Sequence, residues 1–373
     1  MSASDVSQAI RPVLDTMSVR HKVAQLMFVD VYPEGSDAMH AKEDSIIAKE
    51  QVGGIIYMEG SIAQFAETFE RLQSKVGIPL ATTIDGEYGV GMRVAEFRKY
   101  PKQQELAKLG SKRLIEMFAA TMSKDMKALK IDVNFAPVID VSVHPDVNLI
   151  GARSFGPDKE LVAEYGSAIA MTMQENGIMA CAKHFPGHGD TEIDSHKALP
   201  VLSFDMDRIQ SVELYPFRRL IDDGVGMVMI GHLLVPVLDT LPASVSRKVI
   251  TDLLRKEMGF NGIITTDALN MKGVLEPFDG SYEKATLAAY KAGVDILLMP
   301  VNISEGLDLI VDYIGDDPEK LADLEARVTR ILEIKAKAGM LSPSYSRKIN
   351  VAAVDTTATN KLVEKLERKI RRR

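Results

Sequence analysis

Residues 182–200, AKHFPGHGDTEIDSHKALP, gather three of the chain's seven histidines, His184, His188 and His196, with Lys183, Asp190, Glu192 and Asp194. Three chemistries use such a set. Imidazole and carboxylate side by side are ligands for zinc or manganese. Two imidazoles four residues apart hold a metal most readily from one helical face, however, and Pro186, Gly187 and Gly189 deny this segment a helix. The expectation is therefore that no metal is bound, with a metal-dependent hydrolase as an alternative. In the second chemistry, Asp194 and His196 face the same way on an extended or turning loop. The carboxylate then fixes the tautomer of the imidazole and steadies its charged form while it moves protons. The third is recognition without turnover, by a mouth lined with polar anchors such as Asp85, Arg153 and Lys183. That function has no use for a buried carboxylate at Asp267, and fold alone does not decide among the three.

Such side chains need rigid supports, and the rest of the chain supplies a pattern for them. Eight short, nearly continuous apolar runs recur at 23–30, 52–58, 79–85, 133–140, 178–186, 226–234, 262–269 and 295–300. Runs of this kind are strands buried on both faces. Between them lie stretches of helical periodicity, including SIAQFAETFERLQSKVG, DKELVAEYGSAIAMTMQENG, DRIQSVELYPFRRLIDDG and SRKVITDLLRKEMG, several of which stop at glycine, the expected C-cap. Eight alternating units predict an α/β chain folded as a closed (β/α)8 TIM-type barrel with a single catalytic domain over residues 1–345. A doubly wound open sheet is the competitor, but VDVYPEG after the first run is not a glycine-rich phosphate loop. The barrel places active groups where strands end. Asp85, Lys183 with His184, His232 and Asp267 all fall at such ends, although a strand end at a barrel mouth is a poorly solvated place for a charge.

Composition narrows the function classes. Hydrophobic residues make up 46% and charged residues 26% of the 373, the balance of a globular protein. A net charge of −7 argues against nucleic acid as the main partner. Cys181 is the only cysteine, so neither an internal disulfide nor a cysteine metal cluster is expected. The first residues lack a basic segment followed by an apolar run, so the cytoplasm is the expectation, or the periplasm or exterior if a leader has been removed. No run reaches the ~18 apolar residues of a membrane span. A monomer is favoured. Segments 304–317 and 318–340 read as amphipathic helices completing the outer layer. Residues 346–373 are expected as a C-terminal tail or linker. Leu362, Val363, Leu366 and Ile370 form only a weak stripe, so a solvated tail is preferred over a docking helix.

The long loop motif, together with GIITTDALNMKGV, resembles glycoside hydrolase family 3, in particular its single-barrel β-N-acetylglucosaminidase branch. IDGEYGVGMRV (84–94), VNFAPVIDV (133–141), LIGARSFG (149–156), PASVS (242–246) and AGVDILLMP (292–300) agree in the same order, so the resemblance spans roughly residues 20 to 340. It implies a retaining exo-β-N-acetylglucosaminidase of peptidoglycan turnover, with a carbohydrate as partner and no cofactor; a β-glucosidase of the same family is the nearest alternative. By the resemblance Asp267 is the nucleophile, His196 the general acid/base and Asp194 its partner. Asp85, Arg93, Arg153, Lys183 and His184 match positions that grip the sugar, and His232 matches a nearby mouth residue. A surface pair of Arg153 with Asp158 is the alternative for that arginine, and Asp140 is left unassigned. Tyr88 and Val90 depart from a DxEGG pattern in relatives, which bears on aglycone fit.

Overall fold

The computed structural model describes residues 3–143, 150–189 and 199–372. Eight parallel strands follow the eight apolar runs: β1 (Met27–Val31), β2 (Gly54–Tyr57), β3 (Ala81–Ile84), β4 (Val133–Asn134), β5 (Met179–Phe185), β6 (Met227–Ile230), β7 (Ile263–Thr266) and β8 (Leu297–Leu298). Each pairs with its sequence neighbours, and β8 returns to β1 through Met27 opposite Leu297 and Phe28 opposite Leu298. The ring is completed between β7 and β8 by a bridge from Thr265 to Ile296 and by the Thr266 amide donating to the Ile296 carbonyl at 3.1 Å. This is the (β/α)8 barrel that the alternation predicts. β4 is short because Pro137 has no amide to continue the ladder. Pairing resumes beyond it, where the Ile139 amide donates to the Lys183 carbonyl at 2.8 Å.

Helices cover the strands, and their ends are set by local chemistry. Ser61 and Gln64 form a reciprocal capping box on the helix Ile62–Gln73. Asp158 caps Lys159–Glu175 and Asp317 caps Pro318–Lys337, each cap contributing about 1 kcal/mol. The segment read as one helix over 207–224 is instead split. The Leu214 amide reaches the Ile209 carbonyl at 2.9 Å, five residues back, and a second helix then starts at Tyr215 with Pro216 in its first turn.

Two terminal helices close the outside. Ala3–Asp15 packs on Pro318–Lys337. Residues 357–370 do not project as a solvated tail. They form a helix that buries Leu362, Val363 and Leu366 against Lys112–Ala128 and Gln103–Ala107. The hydroxyl of Thr359 donates to Asp125, whose carboxyl burial pushes up to about 7 against that hydrogen bond. At the end of the barrel away from the strand C-termini, Lys335 is fully buried and donates to Gln25 Oε1 at 2.7 Å. No helix among the described residues is long and apolar enough to cross a membrane.

Candidate active site

At the C-terminal ends of the strands lies a cleft of about 440 Å3. Asp85 and Glu87 enter it from the loop after β3, Lys183 and His184 from the end of β5, and Asp267 from the residue after β7. Arg93 and Arg153 reach in from short helical turns at Val90–Met92 and Gly151–Arg153. Met58, Met92, Met271 and Met299 supply the apolar wall, with Tyr88 beside them, whereas Val90 is buried behind it.

The charged floor is one connected network. Lys183 Nζ lies 2.9 Å from Asp85 Oδ1 and 2.8 Å from Glu87 Oε1. Arg153 meets Glu87 through two parallel bonds, Nε to Oε2 at 2.9 Å and Nη2 to Oε1 at 2.6 Å, the strong bidentate form of this pair. Arg93 sits 3.7 Å from Asp85 Oδ2 and bonds Glu59. Burial by itself raises the Glu87 carboxyl, but Arg153 and Lys183 outweigh it and hold the group well below the usual carboxylate range. Lys183 is likewise buried, and Asp85 and Glu87 overcome the cost of burial and raise its ammonium above the ordinary lysine value. Arg153 is therefore an internal partner of Glu87 and not of Asp158, which instead accepts from the Glu160 and Leu161 amides.

Asp140, unassigned from sequence, is buried behind the network and organises two histidines. Its Oδ2 lies 2.7 Å from His184 Nδ1, and its carboxylate accepts the His184 and His188 backbone amides at 3.1 and 2.7 Å. Nδ1–H of His184 donates to Asp140, and the opposite ring nitrogen, Nε2, lies 3.3 Å from Arg153 Nη2. Burial and the nearby His184 push His188 down to about 4. Two glycines let this turn form. Gly187 has φ 121°, and a side chain at Gly189 would place its Cβ 1.8 Å from the Val141 carbonyl oxygen.

Asp267 is half-buried, with its amide donating to the Ile230 carbonyl at 2.9 Å and its Oδ1 accepting the Ala268 amide at 2.8 Å. Among the described residues nothing hydrogen-bonds Oδ2, the oxygen available to a reacting centre. Burial raises this carboxyl, but His184, His232 and the Ala268 amide more than offset it, so the group is lowered and stays an anion. His232 does not line the cleft. It is fully buried, with Nδ1 2.6 Å from Ser244 Oγ and Nε2 2.9 Å from the Ala268 carbonyl, and so fixes the backbone beside Asp267.

The structure thus brings Asp85, Arg93, Arg153, Lys183, His184 and Asp267 to one cleft and sets His232 behind it. His196 and Asp194 lie outside the described residues. Sequence reasoning did not single out Glu87, and the signal for it was its place two residues beyond Asp85, in the turn that follows β3. Among the described residues no group of three or more His, Cys, Asp or Glu side chains is placed to hold a metal ion. An anionic carboxylate at a strand end, surrounded by hydrogen-bonding groups for hydroxyls, suits nucleophilic attack on a polyhydroxylated substrate.

Residues 18–334 match the family model described as the Glycosyl hydrolase family 3 N terminal domain. Beta-hexosaminidase A of Pseudoalteromonas piscicida is 31% identical over 81% of the chain, which spans 56% of that protein's length. A beta-hexosaminidase of Idiomarina loihiensis is 31% identical, over 83% of this chain and 93% of its own. A solved glycoside hydrolase family 3 beta-N-acetylglucosaminidase from Paenibacillus sp. superposes with TM-score 0.84 at 32% identity, covering 95% of this chain and 69% of that one.

Proposed function

The chain belongs to glycosyl hydrolase family 3, and on that footing we propose that it is a retaining exo-β-N-acetylglucosaminidase working through a covalent glycosyl-aspartate. In the first step an oxygen of Asp267 attacks the anomeric carbon. The bond to the glycosidic oxygen breaks, and that oxygen takes a proton from His196, which Asp194 orients. In the second step His196 removes a proton from water, the water oxygen bonds to the anomeric carbon, and the Asp267 carboxylate leaves. Two displacements at one carbon return the β configuration.

The observation that carries this reading is Asp267 itself: a lowered carboxyl at the end of β7, with one oxygen tied by the Ala268 amide. A fixed, anionic oxygen needs little reorganisation as it attacks. Asp85, Lys183, Arg153 and His184 would orient the hydroxyls and the N-acetyl group. The N-acetyl preference is supported by the names of the relatives, and a muropeptide fragment of cell-wall turnover is the natural substrate we propose.

The test is a panel of aryl β-glycosides differing only in the sugar, assayed with and without a strong chelator. N-acetylglucosaminide should be turned over fastest, with the chelator making no difference. Preference for the glucoside would select a β-glucosidase instead. Abolition by chelator would overturn the metal-free reading, and sugar affinity without turnover would leave a binding barrel.

A further inference from the structure

One face of the molecule carries charge opposite to that of the whole. Residues 98–113 hold six Lys or Arg against one Glu, and residues 357–372 hold six against two, in a chain of net charge −7. The fold joins these stretches, because the helix Thr357–Ile370 packs on Gln103–Ala107 and Lys112–Ala128. All twelve cations are exposed. Between the two stretches runs a groove of about 740 Å3 whose charged lining is Arg113, Lys365, Lys369 and Arg372, with no carboxylate.

The arrangement within the helix sharpens the point. Lys365, Lys369 and Arg372 follow at spacings of four and three, so they share one side of it. Both acidic residues of the helix, Glu364 and Glu367, pair with Arg98, at 3.4 and 3.0 Å. They do not neutralise the groove. Among the described residues none of the four groove cations forms an ion pair, and like charges brought together this way favour an anionic occupant.

We propose that this groove binds a linear phosphate-bearing polymer, independently of the reaction in the barrel mouth. Cations recur every ~6 Å along a helix side at four-residue spacing. A flexible chain with a phosphate every few bonds can pair with them in succession and release its counterions. A bilayer fits less well, because Leu362, Val363 and Leu366 face the protein interior and leave the helix without an apolar side to insert. Single-stranded nucleic acid fits less well too, since no aromatic side chain lines the groove for bases to stack upon.

The test is fluorescence anisotropy of the full chain with an end-labelled short-chain polyphosphate. Binding should weaken by about tenfold or more between ~50 and ~200 mM salt. The double variant Lys365→Glu/Lys369→Glu should weaken it by about tenfold or more again, with an unchanged thermal midpoint. Lys284→Glu/Lys337→Glu, on exposed positions outside this face, should bind as the parent does. The proposal is overturned if polyphosphate does not bind, or if the groove variant binds it undiminished. It is equally overturned if phosphatidylglycerol vesicles or duplex DNA bind more tightly than polyphosphate of matched phosphate concentration.

Discussion

The buried carboxylate of Asp140 holds the Nδ1 edge of His184 at 2.7 Å, which directs the opposite edge of that imidazole toward Arg153. The ring is therefore positioned from behind the cleft, by a residue that does not line it. Asp140→Asn keeps the size of the side chain but can present an N–H to Nδ1 and lose one acceptor for the three groups that meet there. A turned ring should lower kcat/KM by about 10- to 100-fold, the cost of a small misplacement in an ordered site. Asp140→Glu should recover less than the parent. A pH profile of kcat/KM unchanged in height and shape would refute the positioning role.

Asp267→Ala should lower kcat by about 1,000-fold or more, as for loss of a nucleophile, with far less effect on KM. A slow 2-fluoro sugar should leave a mass adduct on the peptide containing Asp267; an adduct elsewhere would move the assignment. The carboxyl is depressed, so it stays charged until the pH falls below the ordinary aspartate value of ~3.9. Any acid limb between pH 5 and 6 must then come from another group.

Glu87 faces two cations, Arg153 and the buried Lys183, and removing its charge leaves Arg153 without its bidentate carboxylate and Lys183 with Asp85 alone. Glu87→Gln should destabilise the fold by about 3–5 kcal/mol, as for the broken half of a buried pair. Differential scanning calorimetry should record a fall of several degrees in Tm. An unchanged Tm would mean that the network contributes no stability.

Lys335, buried at the far end of the barrel, is pushed down to about 7 by burial, against the pull of Asp132. Its folded value lies below the unfolded one of ~10.4, so between those limits the unfolded chain binds more protons and stability rises with pH. Below pH 7 the penalty is fully present. Lys335→Met should stabilise the protein at pH 7 by about 1–4 kcal/mol and flatten the pH dependence from 7 to 10. Urea unfolding at pH 6, 8 and 10 measures it, and a variant no more stable than the parent would contradict the account.

What could be read beforehand follows from how local each signal is. The eight strands were legible because each is a short apolar run that needs no partner to be recognised, and Asp85, Lys183 and Asp267 because each closes such a run. Glu87 was not, since its burial depends on Arg153, 66 residues away in the chain. Asp140 was ambiguous because a turn aspartate next to a strand looks the same whether it faces solvent or two histidines. The C-terminal helix has only three well-buried apolar residues, and its fit to Lys112–Ala128 is a property of the assembled surface. The 209–214 irregularity turns on a backbone hydrogen bond that no periodicity reports.

The interlocked floor of the cleft has a corollary for selectivity. Among the described residues, Asp85, Glu87 and Asp267 face Arg93, Arg153 and Lys183, three anions against three cations, histidines aside. These six groups balance one another, so together they neither draw in nor repel a ligand from a distance and must discriminate by directional contacts at close range. An uncharged sugar ring is what this floor should hold, and the KM of a neutral aryl N-acetylglucosaminide should hardly respond to ionic strength, while a uronic acid or free amino sugar in the same ring position unbalances it and is turned away.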